Sequence, residues 1–324
     1  MAASPSPKFD LTTIGEIMTR LSVPVGQRLA DARQLDVEPG GAEGNVCATL
    51  TGLGYRCSWL SRLPNNPLAH MIIRRLRAFG IDTDGVVLPN EGRVGSYYVE
   101  FATAPRPIQV VYDRADSAMA NMTSEDVNWE HLLDTRLVHL TGITPALSPA
   151  CLQLTKDVVT RAKEARVPLS FDVNYRGLLW SEAEAAETLR PLMHGIDLVI
   201  CGRGDAERLF GFTGENRAVL DALQAMTEAK RVVLTLSNAG AMAYDESTFI
   251  QQDAISAQIV DRLGAGDAFA SGVIDGMFSG SLAEGLRRGV VLGALALSQH
   301  GDMLITHRAE LESLLADNEG GIVR

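Results

Sequence analysis

The alternation of short strand-like runs with longer helical runs is the feature of this sequence that most constrains its fold. Runs rich in β-branched and apolar residues, such as 11–14, 137–140 and 169–173, are typical of buried strands. Segments with helical spacing of apolar residues, such as 149–165 and 182–193, separate them. Strands separated by helices predict a mostly parallel sheet covered on both faces. We therefore expect an α/β protein with three layers, in the order α/β/α.

The rest of the chain continues this pattern. Further strands are predicted at 18–23, 58–63, 94–101, 108–112, 198–200, 232–236 and 241–244. Further helices are predicted at 42–53, 67–79, 205–210, 217–228, 267–278 and 282–298. No repeat or low-complexity tract divides the chain. We expect one domain spanning residues 10–315, preceded by a flexible tail at residues 1–9.

Two segments, about 18–40 and 94–114, interrupt the alternation. Each favours an antiparallel hairpin, the second around the turn-prone residues 104–107. We expect them to form a small β-sheet lid inserted into the α/β domain. Val99 and Phe101 on one lid strand predict apolar surface that needs cover. The resulting expectation is a homodimer in which two lids pair.

Charge and hydropathy exclude several kinds of partner. The 324 residues include 40 acidic and 29 basic side chains, a net charge of −11, whereas binding to a phosphate backbone needs a basic surface. The longest apolar stretches, such as 289–297, are shorter than the roughly 20 residues that span a bilayer. The N-terminal residues lack the apolar core of a signal peptide. We expect a cytoplasmic protein with small-molecule ligands and neither nucleic acid nor membrane as partner.

The segment 261–269, Asp-Arg-Leu-Gly-Ala-Gly-Asp-Ala-Phe, lies between a β-rich run and a predicted helix. Glycines at a helix N-terminus let backbone N–H groups approach a phosphate, and the helix dipole favours an anion there. Asp267 beside such an anion has a use as a general base that removes a hydroxyl proton. The alternative is a tight turn in which Asp267 is only the N-cap of the helix.

The segment 40–45, Gly-Gly-Ala-Glu-Gly-Asn, precedes another predicted helix. Two glycines bring bare backbone against a ligand, and the amide of Asn45 both donates and accepts hydrogen bonds. Such groups suit a polyol. The alternative is a strand-to-helix turn with a solvated Asn45.

Both segments resemble signatures of the ribokinase-like (PfkB) carbohydrate kinases, and the similarity extends over about residues 10–315. The resemblance implies the ribokinase-like fold, ATP as phosphoryl donor and Mg²⁺ as metal. It implies that the amides of Gly264, Ala265 and Gly266 hold the transferring phosphoryl group and that Asp267 is the base. On the nucleotide side it implies these residues: Thr235, Ser237, Gly240, Asp261, Gly264 and Gly266.

Within that family, the segments 41–45, 140–149 and 172–176 resemble the 2-keto-3-deoxygluconate kinases. The implied reaction is phosphorylation of the terminal hydroxyl of 2-keto-3-deoxygluconate or a close keto-deoxy sugar acid. Arg114 and Arg176 are candidates to bind the carboxylate, because a guanidinium matches a carboxylate in shape and charge. The full set of expected substrate residues is Gly40, Gly41, Asn45, Tyr97, Tyr112, Arg114, Asn174, Arg176 and Asp267.

Three departures from the family pattern keep alternatives open. Gly202 and Asp205 stand where relatives carry an asparagine and a glutamate tied to magnesium and phosphate, which leaves Asp205 as the metal candidate. Ser237 replaces a glycine, and Arg262 replaces the threonine after Asp261. The alternatives are a kinase for fructose, ribose or 5-dehydro-2-deoxygluconate, and a sugar-binding family member with weakened catalysis.

Overall fold

The computed structural model describes residues 6–102 and 105–317. Residues 1–5 of the expected tail and residues 103–104 at the expected lid turn lie outside the described residues. The expectation of a loose tail is wrong at Phe9, which is 4% exposed and forms a parallel bridge with Thr135. Its ring packs against His131, so burial of the aromatic side chain holds this segment against the domain.

The strands of the described chain form two sheets. In chain order the strands are β1 (Leu11–Ile14), β2 (Met18–Val23), β3 (Asp36–Gly40), β4 (Cys57–Arg62), β5 (Val86–Val87), β6 (Ser96–Glu100), β7 (Gln109–Asp113), β8 (Val138–Thr141), β9 (Leu169–Asp172), β10 (Leu198–Gly202), β11 (Arg231–Thr235), β12 (Ala241–Asp245) and β13 (Thr248–Gln252). Within the described residues, nine strands form the large sheet, in the order β13-β12-β11-β10-β9-β8-β1-β4-β5.

The large sheet is parallel from β11 to β5, as the sequence predicted. The exceptions are β12 and β13, which add to one edge in antiparallel orientation. Strand β13 was not predicted because its run ends in two glutamines and alternates poorly. It forms a tight hairpin with β12 through Glu246, whose backbone lies in the left-handed region.

Helices cover both faces of the large sheet. They are α1 (Ala42–Gly52), α2 (Pro67–Ala78), α3 (Trp129–Leu133), α4 (Pro149–Ala165), α5 (Glu182–Met193), α6 (Arg203–Phe210), α7 (Asn216–Thr227), α8 (Ala265–Ser279), α9 (Leu282–Leu297) and α10 (Arg308–Asp317). One hydrophobic core contains buried residues of α1, α2, α8, α9 and α10, and the other contains those of α3 to α7. The chain has the three-layer α/β/α architecture. No helix of the described residues has the length and hydropathy that a bilayer crossing requires.

Helices α8 and α9 are packed unusually closely, along a seam of glycines. A Cβ added at Gly272 would overlap the backbone at Gly289, and one added at Gly276 would overlap Gly285. The two backbones therefore touch where other residues would hold them apart. This seam, defined by these four glycines, fixes the position of α8 relative to the rest of the domain.

The second sheet has four strands in the order β3-β2-β6-β7, and we call it the lid sheet. Side chains opposite one another in a ladder share a face, and successive residues alternate. The expectation that Val99 and Phe101 form a surface for pairing is wrong. Both are buried, in a small cluster with Met18 and Tyr97 on the face that packs against Leu263.

The opposite face of the lid sheet carries a different apolar row. The ladders place Val37 beside Leu21, Leu21 beside Tyr98 and Tyr98 beside Val111. Val37 and Val111 are exposed. An apolar row thus crosses all four strands on the side facing away from the domain.

Candidate active site

The candidate residues collect at the carboxyl ends of the parallel strands. Thr235, Gly202, Asp172 and Thr141 are the last residues of β11, β10, β9 and β8, and Glu16 follows β1. These strands are neighbours in the sheet, so their ends form one edge. Ligands of open α/β sheets bind outside this edge. Along this edge, a cavity lies beside the end of β11, and a group of polar side chains around Asn45 and Asp267, which we call the polar cluster, lies nearer to β1.

Helix α8 begins at Ala265, two residues earlier than predicted, and its N-cap is Gly264. Asp267 is therefore the third residue of the helix, and the alternative that it is only the N-cap is wrong. Gly264 has a φ of +80°, and a Cβ there would overlap the carbonyl of Asp302. A Cβ added at Gly266 would meet no atom within 4 Å. The first turn of α8 thus borders open space at Gly266, and a helix N-terminus there suits an anion.

Asp267 is buried, and the side-chain amide of Asn45 donates a hydrogen bond of 2.7 Å to its Oδ2. Burial raises the pKa of Asp267 to about 7, although the Asn45 hydrogen bond and the Arg176 charge act in the opposite direction. A carboxylate with a pKa near neutrality is suited to accept a proton. The oxygen of the same Asn45 amide accepts from the backbone N–H of Gly41 at 3.4 Å. The two glycine-rich segments are thus joined through Asn45.

Asp172, which sequence reasoning did not single out, stands close enough to Asp267 for the charge of Asp267 to affect the pKa of Asp172. Burial and the charges of Asp267 and Asp205 raise the pKa of Asp172 to about 8, and Arg176 partly opposes this. Asp172 thus lies in the field of two further carboxylates, a setting that favours a cation. The available signal was position: Asp172 ends a predicted strand of a parallel sheet.

A cavity of about 770 Å³ opens on the other side of α8. Thr235, Ser237 and Gly240, three of the predicted nucleotide residues, line it together with Ala265 and Gly266. Most of the remaining lining is small or apolar and comes from residues 254–259 and from α9. The size and lining suit a flat, partly apolar ligand with a polar end.

Asp261 and Gly264 do not line this cavity. Asp261 is fully buried and paired with Arg20 of β2, which also pairs with Asp302. The remaining oxygen of Asp261 accepts from the backbone N–H of Leu263 at 3.1 Å. We call Arg20, Asp261 and Asp302 the Arg20 cluster. Its geometry supports a loop-shaping role for Asp261 rather than contact with a ligand.

The Arg20 cluster also reaches the predicted substrate residues. The hydroxyl of Tyr97 donates to Asp302 Oδ2 at 2.7 Å, and a Cβ added at Gly40 would overlap that hydroxyl. Tyr112 stacks on Tyr97 with ring centroids 5.6 Å apart. Tyr97 is thus held beside Gly40 with its hydroxyl already engaged, whereas Tyr112 is partly exposed. Burial raises the pKa of the Tyr97 hydroxyl, which remains a hydrogen-bond donor.

Arg114 and Arg176 lie in different settings. Arg114 is mostly buried and forms an ion pair with Glu16, with one hydrogen bond of 2.8 Å from Nε. Arg176 is exposed, and its side chain makes no hydrogen bond or ion pair with another residue of the described chain. Its charge nevertheless acts on Asp172 and Asp267. Arg176 is therefore the cation of the pair that is available to a ligand.

Asn174 and Glu43 also belong to the polar cluster. Asn174 has a φ of +38°, its backbone N–H donates to Asp172 at 3.2 Å, and its side-chain amide makes no hydrogen bond with another described residue. Glu43 is buried and accepts hydrogen bonds from Thr141 and Thr144 at 2.7 and 2.8 Å. Burial raises the pKa of Glu43. These threonines belong to a segment quoted above for its resemblance to sugar-acid kinases.

Asp205, the metal candidate, lies in the first turn of α6 and accepts from Arg208 at 2.6 Å. Among the residues that the structure describes, no three His, Cys, Asp or Glu side chains form a ready metal site. Mg²⁺ at phosphoryl-transfer sites needs only one or two carboxylates, with water and phosphate oxygens as further ligands. Burial and the charges of the neighbouring Asp267 and Asp205 raise the pKa of Asp172, so Asp172 and Asp205 are residues that fit this ion.

A helix N-terminus at the wall of a large cavity, together with a buried carboxylate of raised pKa beside the polar cluster, is an arrangement that suits transfer of an anionic group to a hydroxyl. Comparison with protein families matches residues 8–308 to the pfkB family of carbohydrate kinases. The chain belongs to this family.

Individual relatives agree with this assignment. A 2-dehydro-3-deoxygalactonokinase of Haloferax volcanii is 33% identical over 97% of this chain and 99% of its own length. The crystal structure of a 2-dehydro-3-deoxygluconokinase from Thermotoga maritima superposes with a TM-score of 0.89 and 33% identity, covering 95% of this chain and 99% of that one. A putative ribokinase II of E. coli, solved with ATP and Mg²⁺, shares the fold with a TM-score of 0.86 and 23% identity, over 95% of this chain and 99% of that one.

Proposed function

We propose that this protein is an ATP-dependent kinase that phosphorylates the terminal hydroxyl of a 2-keto-3-deoxy sugar acid. The observation that carries the proposal is the position of Asp267. Asp267 lies in the first turn of α8 with Ala265 and Gly266, which line the large cavity, and its carboxylate accepts a hydrogen bond from Asn45 of the polar cluster. A hydroxyl at the polar cluster and a phosphate at the amides would therefore meet at this residue.

The reaction follows from these positions. Asp267 takes the proton of the terminal hydroxyl as its oxygen attacks the γ-phosphorus. The bond between the γ-phosphorus and the bridging oxygen to the β-phosphate breaks, and ADP leaves. The amides of Gly264, Ala265 and Gly266 hold the charge of the transferring group, because phosphoryl transfer depends mainly on positioning and electrostatic stabilisation.

The metal expected with ATP is Mg²⁺, as in the ATP-bound fold neighbour. When bound, Mg²⁺ offsets charge on the phosphate oxygens. Asp172 and Asp205 are the residues that would hold it, directly or through water. Occupation of this place would also lower the pKa of Asp172, because a nearby cation favours the carboxylate form.

The carboxylate of the sugar acid is assigned to Arg176. Arg114 already has a carboxylate partner in Glu16, whereas Arg176 has none in the described chain. We assign the hydroxyl contacts to Asn45, Asn174 and the backbone at Gly40 and Gly41. The tyrosines Tyr97 and Tyr112 form the wall on the lid side.

A screen of acceptors with ATP and Mg²⁺, followed by ADP release, tests this proposal. We expect kcat/KM to be highest for 2-keto-3-deoxy sugar acids and lower for fructose, ribose and 5-dehydro-2-deoxygluconate. Arg176→Gln should raise KM for the acid about tenfold, since one charged contact contributes roughly 1.4 kcal/mol. The control Arg203→Gln, at an arginine paired with Glu207, should leave KM unchanged. A preference for neutral sugars contradicts the proposal, and binding without ADP release favours the weakened-catalysis alternative.

The C4 epimer, 2-keto-3-deoxygalactonate, is a second candidate substrate. The relative from Haloferax volcanii, named for the galactonate compound, matches 97% of this chain at 33% identity. The two epimers differ only in the direction of one hydroxyl, so a side-by-side kcat/KM measurement decides between them.

The lid sheet is proposed to close the substrate pocket and to pair with the lid of a second copy. Closure excludes water, which otherwise competes as phosphoryl acceptor. The outward apolar row at Val37, Leu21, Tyr98 and Val111 supports pairing of two lids. Val111→Asp should convert a dimer to a monomer by light scattering, whereas Leu178→Asp, at an exposed apolar residue elsewhere, should not. A monomeric parent protein at micromolar concentration contradicts the pairing.

A further inference from the structure

The lining of the large cavity contains a single charged side chain among the residues that the structure describes. That residue is Arg262; the other lining residues are small, apolar or uncharged polar. A nucleotide di- or triphosphate brings several negative charges into this space. The backbone amides at Ala265 and Gly266 supply dipoles but no full positive charge.

The position of Arg262 is fixed by its neighbours along the chain. Asp261 is anchored by Arg20, and its side chain accepts from Leu263 N–H, so residues 261–263 form a tight local turn. Arg262 stands at the corner of this turn, two residues before Gly264. Its side chain is exposed and makes no hydrogen bond or ion pair elsewhere in the described chain. The buried Asp261 thus holds an unpaired cation, Arg262, beside the start of α8. We call Gly264, Ala265 and Gly266 at this helix start the phosphate cradle.

Two other arginines near the large cavity already have carboxylate partners. Arg106 lines a neighbouring cavity of about 650 Å³, which Arg262 also borders, and pairs with Glu100 at 3.0 Å. On the other flank, Arg208 pairs with Asp205 at 2.6 Å. Each of these side chains would have to leave a carboxylate to reach a phosphate. Arg262 has no such cost.

We propose that Arg262 is a nucleotide-binding residue whose guanidinium binds the polyphosphate of ATP and ADP. This rests on the proposed function only in that ATP is the ligand of the large cavity. A guanidinium offers paired N–H donors to phosphate oxygens and remains charged at all working pH values. A fixed positive charge at Arg262 would offset part of the negative charge of a polyphosphate held at Ala265 and Gly266.

The test is titration calorimetry of ATP, ADP, AMP and adenosine with Arg262→Gln, in the presence of Mg²⁺ and without sugar. We expect Kd for ATP and ADP to rise about tenfold, the usual effect of losing one charged hydrogen-bonded contact. Adenosine should change less than about twofold, because it has no phosphate for the guanidinium to bind. Arg262→Lys should restore part of the affinity, and the dependence of ATP affinity on salt should weaken in Arg262→Gln.

The matched control is Arg106→Gln, at the paired arginine of the neighbouring cavity, which should leave all four Kd values unchanged. Unchanged ATP affinity in Arg262→Gln overturns the proposal. Equal losses for adenosine and ATP also overturn it, since the side chain would then serve the base. The titrations contain no acceptor, so a wrong sugar assignment does not alter them. If the parent protein binds none of the four ligands, both this inference and the assignment of ATP fail. If the parent binds ATP, the assignment of ATP stands, and the Arg262→Gln titration then tests the role of Arg262 by itself.

Discussion

The two sides of the cleft are built in opposite ways. On the sugar side, three contacts between charged or polar groups exist before any ligand arrives, Arg114 with Glu16, Asn45 with Asp267, and Tyr97 with Asp302, and the side chain of Arg176 is left unpaired in the described chain. On the nucleotide side, the wall consists mainly of small and apolar residues, and its one charged residue in the described chain, Arg262, is unpaired.

The difference indicates how each side selects its ligand. A preformed hydrogen-bond network rejects a ligand that leaves any of its groups unsatisfied, so the sugar side is suited to distinguish similar polyols. A mostly apolar cavity with one cation selects a ligand by shape and charge, and it requires fewer hydrogen bonds of fixed direction. Asp267 lies at the boundary and depends on both sides.

The largest expected effect is at this boundary. Asp267→Asn should lower kcat about 10²–10⁴-fold, because the amide cannot accept the proton, while ATP affinity stays nearly unchanged. Steady-state ADP release and nucleotide titration measure the two quantities. Near-parental turnover would show that Asp267 is not the base. The two sides of the cleft would then not meet at this residue.

The same variant has a stability signature. Because burial raises the pKa of Asp267 from 3.8 to about 7, the folded state binds its proton more tightly than the unfolded state. Stability from this proton is present below pH 4 and is lost as pH rises through about 7. Asp267→Asn should therefore gain stability over the parent between pH 4 and 7, with a constant advantage above pH 7. Denaturant titrations at pH 4.5 and 8 serve as the check; equal differences at both pH values contradict a raised pKa.

The Arg20 cluster gives the next largest effect, on stability. Arg20→Met leaves Asp261 and Asp302 buried without their cation, and loss of one partner of a buried pair costs about 3–5 kcal/mol. Denaturant unfolding measures this. The exposed pair Arg217 and Asp221 is the control, since Arg217→Met should cost about 1 kcal/mol or less. A similar cost at both sites would mean that the cluster does not hold the lid sheet to the nucleotide loop.

Substitutions at two glycines of the phosphate cradle, Gly264 and Gly266, should have different effects on stability and on ATP turnover. Gly264→Ala should lower stability by about 1–3 kcal/mol, because the left-handed φ and the Asp302 carbonyl both disfavour a side chain. Gly266→Ala meets no atom and should leave stability within about 0.5 kcal/mol, yet weaken ATP turnover by placing a methyl group in the phosphate space. Thermal unfolding and ADP release distinguish them. Full activity in Gly266→Ala would place the phosphate elsewhere.

The smallest effect is a shift in pH dependence. As pH falls through about 7, Asp267 gains a proton and kcat/KM should decline. Asn45→Ala removes a hydrogen bond that favours the charged form, so this decline should move up by about one pH unit. Asn65→Ala, at an exposed asparagine bonded to His70, is the control. An unshifted profile would mean that Asn45 only contacts the sugar.

The sequence predicted the parallel sheet, the lid strands and the cradle at α8 because each depends on local pattern: strand periodicity, helical spacing and a short motif. The contacts that complete the site join distant segments. Asp302, for example, comes from the loop after α9 and meets Arg20 and Tyr97 of the lid sheet. No local pattern carries such a pairing.

The error at Val99 has a similar cause. Strand periodicity gives two faces but does not indicate which one is inward, and the ladder register with its neighbours decides this. The start of α8 was placed two residues late because Gly264 was counted as part of the loop rather than as the N-cap. The role of Asp261 depended on a buried arginine about 240 residues earlier in the chain.

The glycine seam between α8 and α9 links the substitutions that the helix packing can accept to the position of the catalytic groups. The cradle belongs to the first turn of α8, and the seam determines how far that turn stands from the sheet edge. A methyl group at Gly272 would force the two helices apart and displace the amides without touching sugar or nucleotide. Substitutions at these buried glycines are consequently limited by the need to keep kcat as well as by the need to fold.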